Sequence, residues 1–456
     1  MFEETICIDL GASYTKIARR LAITPNRNGT FSQESKIVSI DRVQLIPSLA
    51  IRTRDMENPW IFGQDAAEMN PGADMQVFQN WKADLFRPAN DKVSGTAIVI
   101  AHRFFVWLKS KLEAQGVDFK KCQTRIAMPA FDTFDERAEL VARCMDLSGW
   151  DDPALILKVR EPRANVIGMF AENLNFVRQG DEVGLGPDYG RMFGLENIYI
   201  RAARDFHLYG TRGNTVKIMV VDIGAFTTDI ALLSFDVTDP HEGLKMRRQI
   251  SWQLGVIDQL DKPMFATLGE RHGFSPQELK LPFKDYEELK KLIHRREKSE
   301  SMNIWVGGKK LQLDFGNAED FEIAETAAKH FAVQIWGNVS ALATAENPER
   351  IFLTGGGSLI ATVSSEITRL AGQSGLRVQS VNQRRDNYGV ETLERFATAL
   401  GGCNVILQAS ADLSQQAETT VQQRPPLALN PIPGFHDCRC HGKNIDCCFC
   451  HGRGCI

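Results

Sequence analysis

Two stretches of the chain carry the same unusual pattern. Residues 220–233, VVDIGAFTTDIALL, run apolar up to Asp222, bend at Gly224 and turn apolar again. A carboxylate at the end of a buried strand costs stability unless something pairs with it, so the segment predicts a bound charge rather than a plain hairpin. Residues 5–20, TICIDLGASYTKIARR, have the same build. Aligning DLGASYTKIA (9–18) on DIGAFTTDIA (222–231) matches Asp, Gly, Ala, Thr, Ile and Ala at equal spacing. Strand, turn and strand in both copies imply a duplicated unit, one in each of two lobes.

The chain has 456 residues, too many for one ordinary core, which predicts two to four units. A net charge of −4 gives no global basic field, so neither nucleic acid nor an anionic membrane surface is an expected partner. The start, MFEETICIDLG, has no basic stretch followed by a long apolar core, and no apolar run approaches the ~20 residues of a membrane helix. A cytoplasmic protein is expected. Four cysteines, Cys7, Cys122, Cys144 and Cys403, are scattered and read as small buried apolar residues, whereas six crowd into 438–455.

Strand-like and helix-like segments alternate through residues 1–410, the pattern of an α/β protein. Residues 125–150 join a strand to a helix, and 155–174 run from a strand through Glu161-Pro162 into another, with Pro162 suited to a first turn. RIFLTGGGSLIATVSSEITRL sets a strand, three glycines and a helix in succession, and LERFATALGGCNVILQ reads as a small-residue helix. Residues 285–301 predict a charged helix with little apolar face. The expected organisation is a first lobe over 1–177, a Gly- and charge-rich excursion over 178–215, and a second lobe over 216–410 with a helical subdomain at about 258–315. A Pro/Gln-rich linker over 411–435 and a Cys/His-rich tail over 436–456 follow.

A turn between two strands exposes successive backbone N–H groups, and small neighbours let phosphate oxygens come close. Acids beside such turns repel phosphate unless Mg²⁺, held through one or two carboxylates and its own waters, stands between them. Two turns from two lobes are thus suited to clamp one nucleotide. GGGS at 355–358 is neither a Walker loop nor a dinucleotide fingerprint.

In sequence order, IDLGASYTKIA, IPSLAI, FGQDAAEMNPG, NWKADL, RIAMPAFDTFDERAEL, VREPRANVIGMF, VVDIGAFTTDIALL, IFLTGGGSLI and LERFATALGGC resemble the nucleotide-binding domain of seventy-kilodalton heat-shock chaperones. That domain belongs to the actin, sugar-kinase and heat-shock ATPase superfamily. The resemblance covers roughly residues 4–408 apart from the 178–215 excursion. It implies a two-lobed actin-like ATPase fold of duplicated ribonuclease-H-like lobes, with ATP or ADP and Mg²⁺ as ligands.

Carried over by position, it implies that Asp9 and Asp222 hold Mg²⁺ through its waters, and that Gly11, Ala12 and Ser13 form the first phosphate turn. Lys82 then neutralises the transferred phosphate, Glu161 orients the attacking water or a metal water, and Asp229 is a second water-positioning carboxylate. Gly224, Ala225 and Thr227 belong to the second phosphate turn, and Gly355, Gly356 and Gly357 to the adenosine-side segment. Adenosine contacts from the charged helix fit two registers, one with Glu287, Lys290 and Lys291, the other with Arg295 and Lys298. The chain departs from the family at Ala225 and Phe226, where two further glycines are usual, so those side chains either restrict the approach of phosphate or turn away into the core.

The tail, HDCRCHGKNIDCCFCHGRGCI, contains CxxCxGxG at 447–454, which resembles the zinc-binding repeat of J-protein cochaperones. Zinc needs four thiolate or imidazole ligands and supplies folding energy to a segment too short for a core. Cys438, Cys440, Cys447 and Cys450 are the first choice, with His441, Cys448, His451 and Cys455 as alternatives. Only 46 residues follow position 410, so the peptide-binding domain of the chaperones is not expected and the tail is expected to dock a protein partner. The expected function is an ATP-binding, ATP-hydrolysing chaperone-like protein, the alternative a nucleotide-gated actin-like scaffold or filament.

Overall fold

The computed structural model describes residues 4–169 and 215–404, except 21–23, 26–30, 33–34, 56–58, 71, 73, 86–91, 132–133, 151–155, 237–244, 274–300, 307–308, 315–317 and 381–392. The cysteine-rich tail with Cys438, Cys440, Cys447 and Cys450, the linker, the 178–214 stretch and Lys290 lie outside the described residues.

Within them the chain is mixed α/β, as the alternation of segments predicts. A first sheet is built from β1 (Glu4–Leu10), β2 (Tyr14–Arg20), β3 (Ser35–Ile37), β4 (Cys122–Met128) and β5 (Leu157–Arg160), in the order β5-β4-β1-β2-β3. A short strand, Ile46–Pro47, also pairs with β2. The second sheet contains β6 (Thr215–Ile223), β7 (Thr228–Asp236), β8 (Lys245–Trp252), β9 (Arg350–Thr354) and β10 (Val378–Ser380), in the order β8-β7-β6-β9-β10.

The two sheets share one topology. In each, the first two strands form an antiparallel hairpin, the third adds antiparallel to the second, and the last two join parallel on the other side of the first. The parallel joins need long crossovers, and helices make them. β4 reaches β5 through α3 (Phe134–Leu147), and β9 reaches β10 through α6 (Ala361–Gln373). The helices α2 (Lys92–Ala114) and α5 (Ala318–Glu346) precede β4 and β9 in the same way.

Period-2 alternation divides the hydrophobic residues into three layers. Ile6, Ile8 and Leu10 of β1 face a core shared with α2 and α3, including Phe104, Phe105 and Val141. Met219, Val221 and Ile223 of β6 face a core shared with α5 and α6, including Phe331 and Ile367. The opposite parity, Cys7 of β1, Ala18 of β2, Val216, Ile218 and Val220 of β6, and Ala231 and Leu233 of β7, meets in a third core between the sheets. Strands buried on both faces read as near-continuous apolar runs, which is why VVDIGAFTTDIALL shows so little polar alternation.

Two helices fill that middle layer: α4 over 161–169 and α7 (Leu393–Asn404). They contribute Val166, Met169, Phe396, Leu400 and Cys403. Their backbones cross so closely that a Cβ on Gly168 would enter the Ala397 carbonyl and one on Gly401 the Ala164 carbonyl. The small-residue reading of LERFATALGGC therefore has a steric cause. Arg125 is 1% exposed and closes the far end of α7, donating from Nη1 to Gly402 O at 2.8 Å and Cys403 O at 3.3 Å. These groups are among the last carbonyls of the helix, which lack intrahelical donors.

Cys7, Cys122, Cys144 and Cys403 are buried free thiols, in line with their reading as small core residues. The expected helical subdomain at 258–315 needs correction in its second half. Lys262–Arg271 is helical, but Ser301–Val306 and Lys309–Asp314 pair as an antiparallel hairpin. IWVGGKKLQL there alternates around Gly307-Gly308, a turn signal rather than a helical one. Among the described residues no helix is long and apolar enough to cross a membrane.

Gly401→Val is expected to lower unfolding free energy by about 1–3 kcal/mol through overpacking of the helix crossing. Gly337→Ala, in α5 with nothing near its Cβ position, is expected to raise it by up to about 1 kcal/mol. Urea denaturation of the two variants checks both signs.

Candidate functional site

The alternation that builds the middle core also aims the site. Asp9 has the parity of Cys7, Lys16 that of Ala18, Asp222 that of Val220, and Asp229 that of Ala231. All four side chains thus project between the sheets, beyond the ends of the apolar middle layer. They line one cleft, part of it open to solvent.

The first turn, Gly11–Ser13, joins β1 to β2. It is braced from outside by Ser48, whose Oγ donates to Gly11 O at 2.7 Å and whose N–H donates to Ser13 O at 2.9 Å. The N–H groups of Ala12 and Ser13 have no acceptor among the described residues. Asp9 pairs with Lys16 directly across the hairpin, at 2.7 Å.

The second turn, Gly224–Thr227, joins β6 to β7, and Gly224 N–H closes it onto Thr227 O at 2.8 Å. From behind, Val256 N–H donates to Gly224 O at 3.1 Å and Ile257 N–H to Ala225 O at 2.9 Å. The Ala225 N–H has no acceptor among the described residues. Phe226 points away and packs against the core of the first sheet, its ring 6.3 Å from that of Phe131 at 72°. Of the two readings open for Phe226, the structure selects the one in which the ring packs on the core, and the residue still borders the cleft.

Asp222 occupies the place in β6 that Asp9 occupies in β1, but its neighbours differ. Asn165 of α4 donates from Nδ2 to Asp222 Oδ2 at 2.7 Å, and Thr398 of α7 donates to the same oxygen at 3.4 Å. Asn165 is fully buried, and its Oδ1 has no donor among the described residues. Gly355 lies against this carboxylate: at φ 81° with a Cβ position that would enter Asp222 Oδ1, only glycine fits. Gly356 and Gly357 continue into a 3₁₀ turn, Gly356–Leu359, ahead of α6, so the glycines make a turn of their own before the helix begins.

Lys82 sits in α1 (Trp81–Leu85), which Trp81 anchors on Phe104 with ring centroids 5.4 Å apart. Asn80, at φ 57°, lets the chain enter that helix sharply. Lys82 Nζ lies 2.8 Å from Glu161 Oε1, and both side chains are nearly buried, at 4% and 8% exposed. Glu161 opens α4 directly after β5, one turn before Asn165.

The cleft therefore holds four acids, Asp9, Glu161, Asp222 and Asp229, and three bases, Lys16, Lys82 and Arg395. Desolvation pushes Asp222 up to about 7; Lys16 opposes this, and Asp9 and Glu161 add to it. Burial likewise holds Asp229 well above the usual carboxylate range, reinforced by Glu161 and Asp222. Glu161 is raised by burial against the pull of Lys82. For Lys16, burial alone would lower the pKa, but the Asp9 carboxylate more than offsets it and the net shift is upward.

A divalent cation fits this donor set in hydrated form. Among the described residues no three His, Cys, Asp or Glu side chains gather as a direct metal site. A cation that keeps its waters needs only one or two carboxylates, and the buried Asn165 Oδ1 is an acceptor such a water satisfies.

Asp9, Lys82, Glu161, Asp222 and Asp229 all line one cleft, together with Gly11, Ala12, Ser13, Gly224, Ala225, Thr227, Gly355, Gly356 and Gly357. Sequence reasoning passed over Lys16, Asn165, Thr398 and Arg395. Lys16 was readable, since it is the residue of the first copy that stands opposite Asp229 in the alignment. Arg395 lines the cleft and has no ion-pair partner among the described residues. No protein-family model matches the chain, and no curated protein sequence matches it significantly.

The raised acids have a consequence for stability. A carboxylate whose folded pKa lies above its unfolded value favours the folded state most where it is protonated. That contribution falls as pH rises through the window from 3.8 to about 7 for Asp222 and is gone above it. Metal-free protein is expected to unfold at lower urea at pH 8 than at pH 5. Asp222→Asn should flatten this difference and exceed the unaltered chain at pH 8, and equal slopes in the two would contradict the electrostatic reading.

Proposed function

We propose that the chain binds Mg²⁺-ATP in this cleft and hydrolyses it to ADP and phosphate, as a chaperone-like ATPase acting through partner proteins. The observation that carries the reading is the pair of equivalent strand-turn-strand units, from two sheets of one topology, that bring Asp9 and Asp222 into one cleft. The repeated topology also supports the two-lobed actin-like architecture of duplicated ribonuclease-H-like lobes, with the described residues of 1–177 and 216–410 as its halves.

In this reading the N–H groups of Ala12, Ser13 and Ala225, which have no acceptor among the described residues, receive phosphate oxygens from both sides. The Gly355–Gly357 turn, held flush against Asp222, leaves room for the nucleoside. Bound Mg²⁺ supplies charge neutralisation on the phosphates, with Asp9, Asp222 and Asn165 as the residues that hold its waters. Phosphoryl transfer to water needs positioning and neutralisation more than a covalent nucleophile. Lys82 neutralises the transferred group, and its pairing with Glu161 fixes the carboxylate that orients the attacking water. Asp229, desolvated and held on both oxygens, is the second water-positioning group. Arg395, without a protein partner among the described residues, is available to a ligand phosphate.

The tail is proposed to bind zinc through Cys438, Cys440, Cys447 and Cys450 and to dock the partner protein, on the strength of its CxxCxGxG spacing.

Calorimetric titration tests the site. Asp222→Asn is expected to weaken Mg²⁺-ATP binding at least about tenfold, ~1.4 kcal/mol, and Arg395→Gln to weaken ATP but not adenosine. Equal Mg²⁺-ATP affinity in Asp222→Asn and the unaltered chain would refute the site.

A further inference from the structure

Asp229 is nearly buried, at 2% exposed, and both its oxygens are engaged from within the protein. Thr227 Oγ1 donates to Oδ2 at 2.8 Å, and Ser251 Oγ donates to Oδ1. Ser251 stands opposite Asp229 in the register of β7 and β8, so the second sheet alone accounts for that contact. What the second sheet does not account for is the donor on the other side of Ser251. The N–H of Ala130, from the corner that follows β4 of the first sheet, donates to Ser251 Oγ at 2.6 Å.

A serine hydroxyl has one proton. With Ala130 N–H occupying a lone pair of Ser251 Oγ, that proton is directed at Asp229, and the chain runs one way: Ala130 N–H to Ser251, Ser251 O–H to the carboxylate. It is buried, Ala130 being 7% and Ser251 8% exposed, so water competes poorly for any member.

The next residue of the same corner makes a second contact across the sheets. Phe131 meets Phe226 edge to face, and Phe226 belongs to the second phosphate turn yet packs on the core of the first sheet. The opposite side of that turn is closed by Gly255, where a Cβ would enter the backbone of Ala225 and Phe226. The turn is thus held between Gly255, in the segment that follows β8, and Phe131, in the corner that follows β4.

We infer that Ser251 is a positioning residue for Asp229, and that the Pro129–Phe131 corner of the first sheet sets the geometry of the second phosphate turn through Ser251 and Phe226. Water positioning by Asp229 then requires the two sheets to be in contact at this corner, and Phe226 supplies the docking surface that a glycine there would lack. The inference rests on the proposed ATP hydrolysis and adds to it the residues that couple hydrolysis to the meeting of the sheets.

The test compares full-length protein with its Ser251→Ala, Ser251→Thr and Phe226→Ala variants, by phosphate release at saturating Mg²⁺-ATP, calorimetric Mg²⁺-ATP binding and thermal melting. Ser251→Ala is expected to lower kcat by about 10- to 100-fold, the scale of a misplaced group, with Kd within about twofold. Ser251→Thr, which keeps the hydroxyl, restores most of the rate, and Phe226→Ala lowers kcat in the same direction as Ser251→Ala. Unchanged kcat in Ser251→Ala overturns the inference. So does a loss of kcat that comes with equal losses of binding and melting temperature and is not restored by threonine. If the unaltered chain binds Mg²⁺-ATP but releases no phosphate, this inference fails and nucleotide binding stands; if it binds none, both fail.

Discussion

A buried carboxylate has to be balanced, and in this chain four of them, Asp9, Glu161, Asp222 and Asp229, meet in one cleft. Strand parity leaves no alternative for three of the four. Once Cys7, Val220 and Ala231 enter the apolar middle layer, Asp9, Asp222 and Asp229 must point the same way. Lys16 balances Asp9 and Lys82 balances Glu161, each at hydrogen-bond distance. Among the described residues Asp222 and Asp229 receive only neutral donors, from Asn165, Thr398, Thr227 and Ser251, and both are left with raised pKa values. The chain thus desolvates two acids beside two backbone turns in which the N–H groups of Ala12, Ser13 and Ala225 have no acceptor among the described residues. A ligand combining a cation with phosphate satisfies both at once.

Everything around the cleft serves to hold that arrangement. The α4 and α7 crossing, tight enough to demand Gly168 and Gly401, fixes Glu161 and Asn165 on one helix and Thr398 on the other. Arg125 closes α7 at the end remote from the cleft, using a guanidinium whose pKa burial lowers. The Trp81–Phe104 contact seats Lys82. The helix crossing and the Trp81–Phe104 contact are packing interactions that each end on a polar side chain of the site, so the apolar interior and the cleft cannot be altered independently.

Much of this was legible in the sequence, because the relevant signals are local. The two Asp-x-Gly turns, the β4–α3 and β5–α4 units and the small-residue helix α7 all follow from periodicity, turn residues and Pro162. The register of the repeat even placed Lys16 opposite Asp229, although its pairing with Asp9 is evident only across the hairpin. What could not be read are contacts between segments far apart in the chain. Asn165 to Asp222 spans 57 residues and Ala130 to Ser251 spans 121, and neither Asn165 nor Ser251 stands in a distinctive local pattern. Phe226 illustrates the same limit: locally it looks like an obstacle in a phosphate turn, and only the position of Phe131 gives it a place. The hairpin at 301–314 was missed because the charged run before it suggested that helix would continue.

In the proposed function the two turns and the glycine segment act together on one phosphate-bearing ligand. Amide hydrogen exchange with and without Mg²⁺-ATP tests it most directly. Simultaneous protection of Gly11–Ser13, Gly224–Thr227 and Gly355–Leu359 is expected, with segments from both sheets responding at the same nucleotide concentration. Protection confined to one sheet, or no protection at saturating Mg²⁺-ATP, would contradict it.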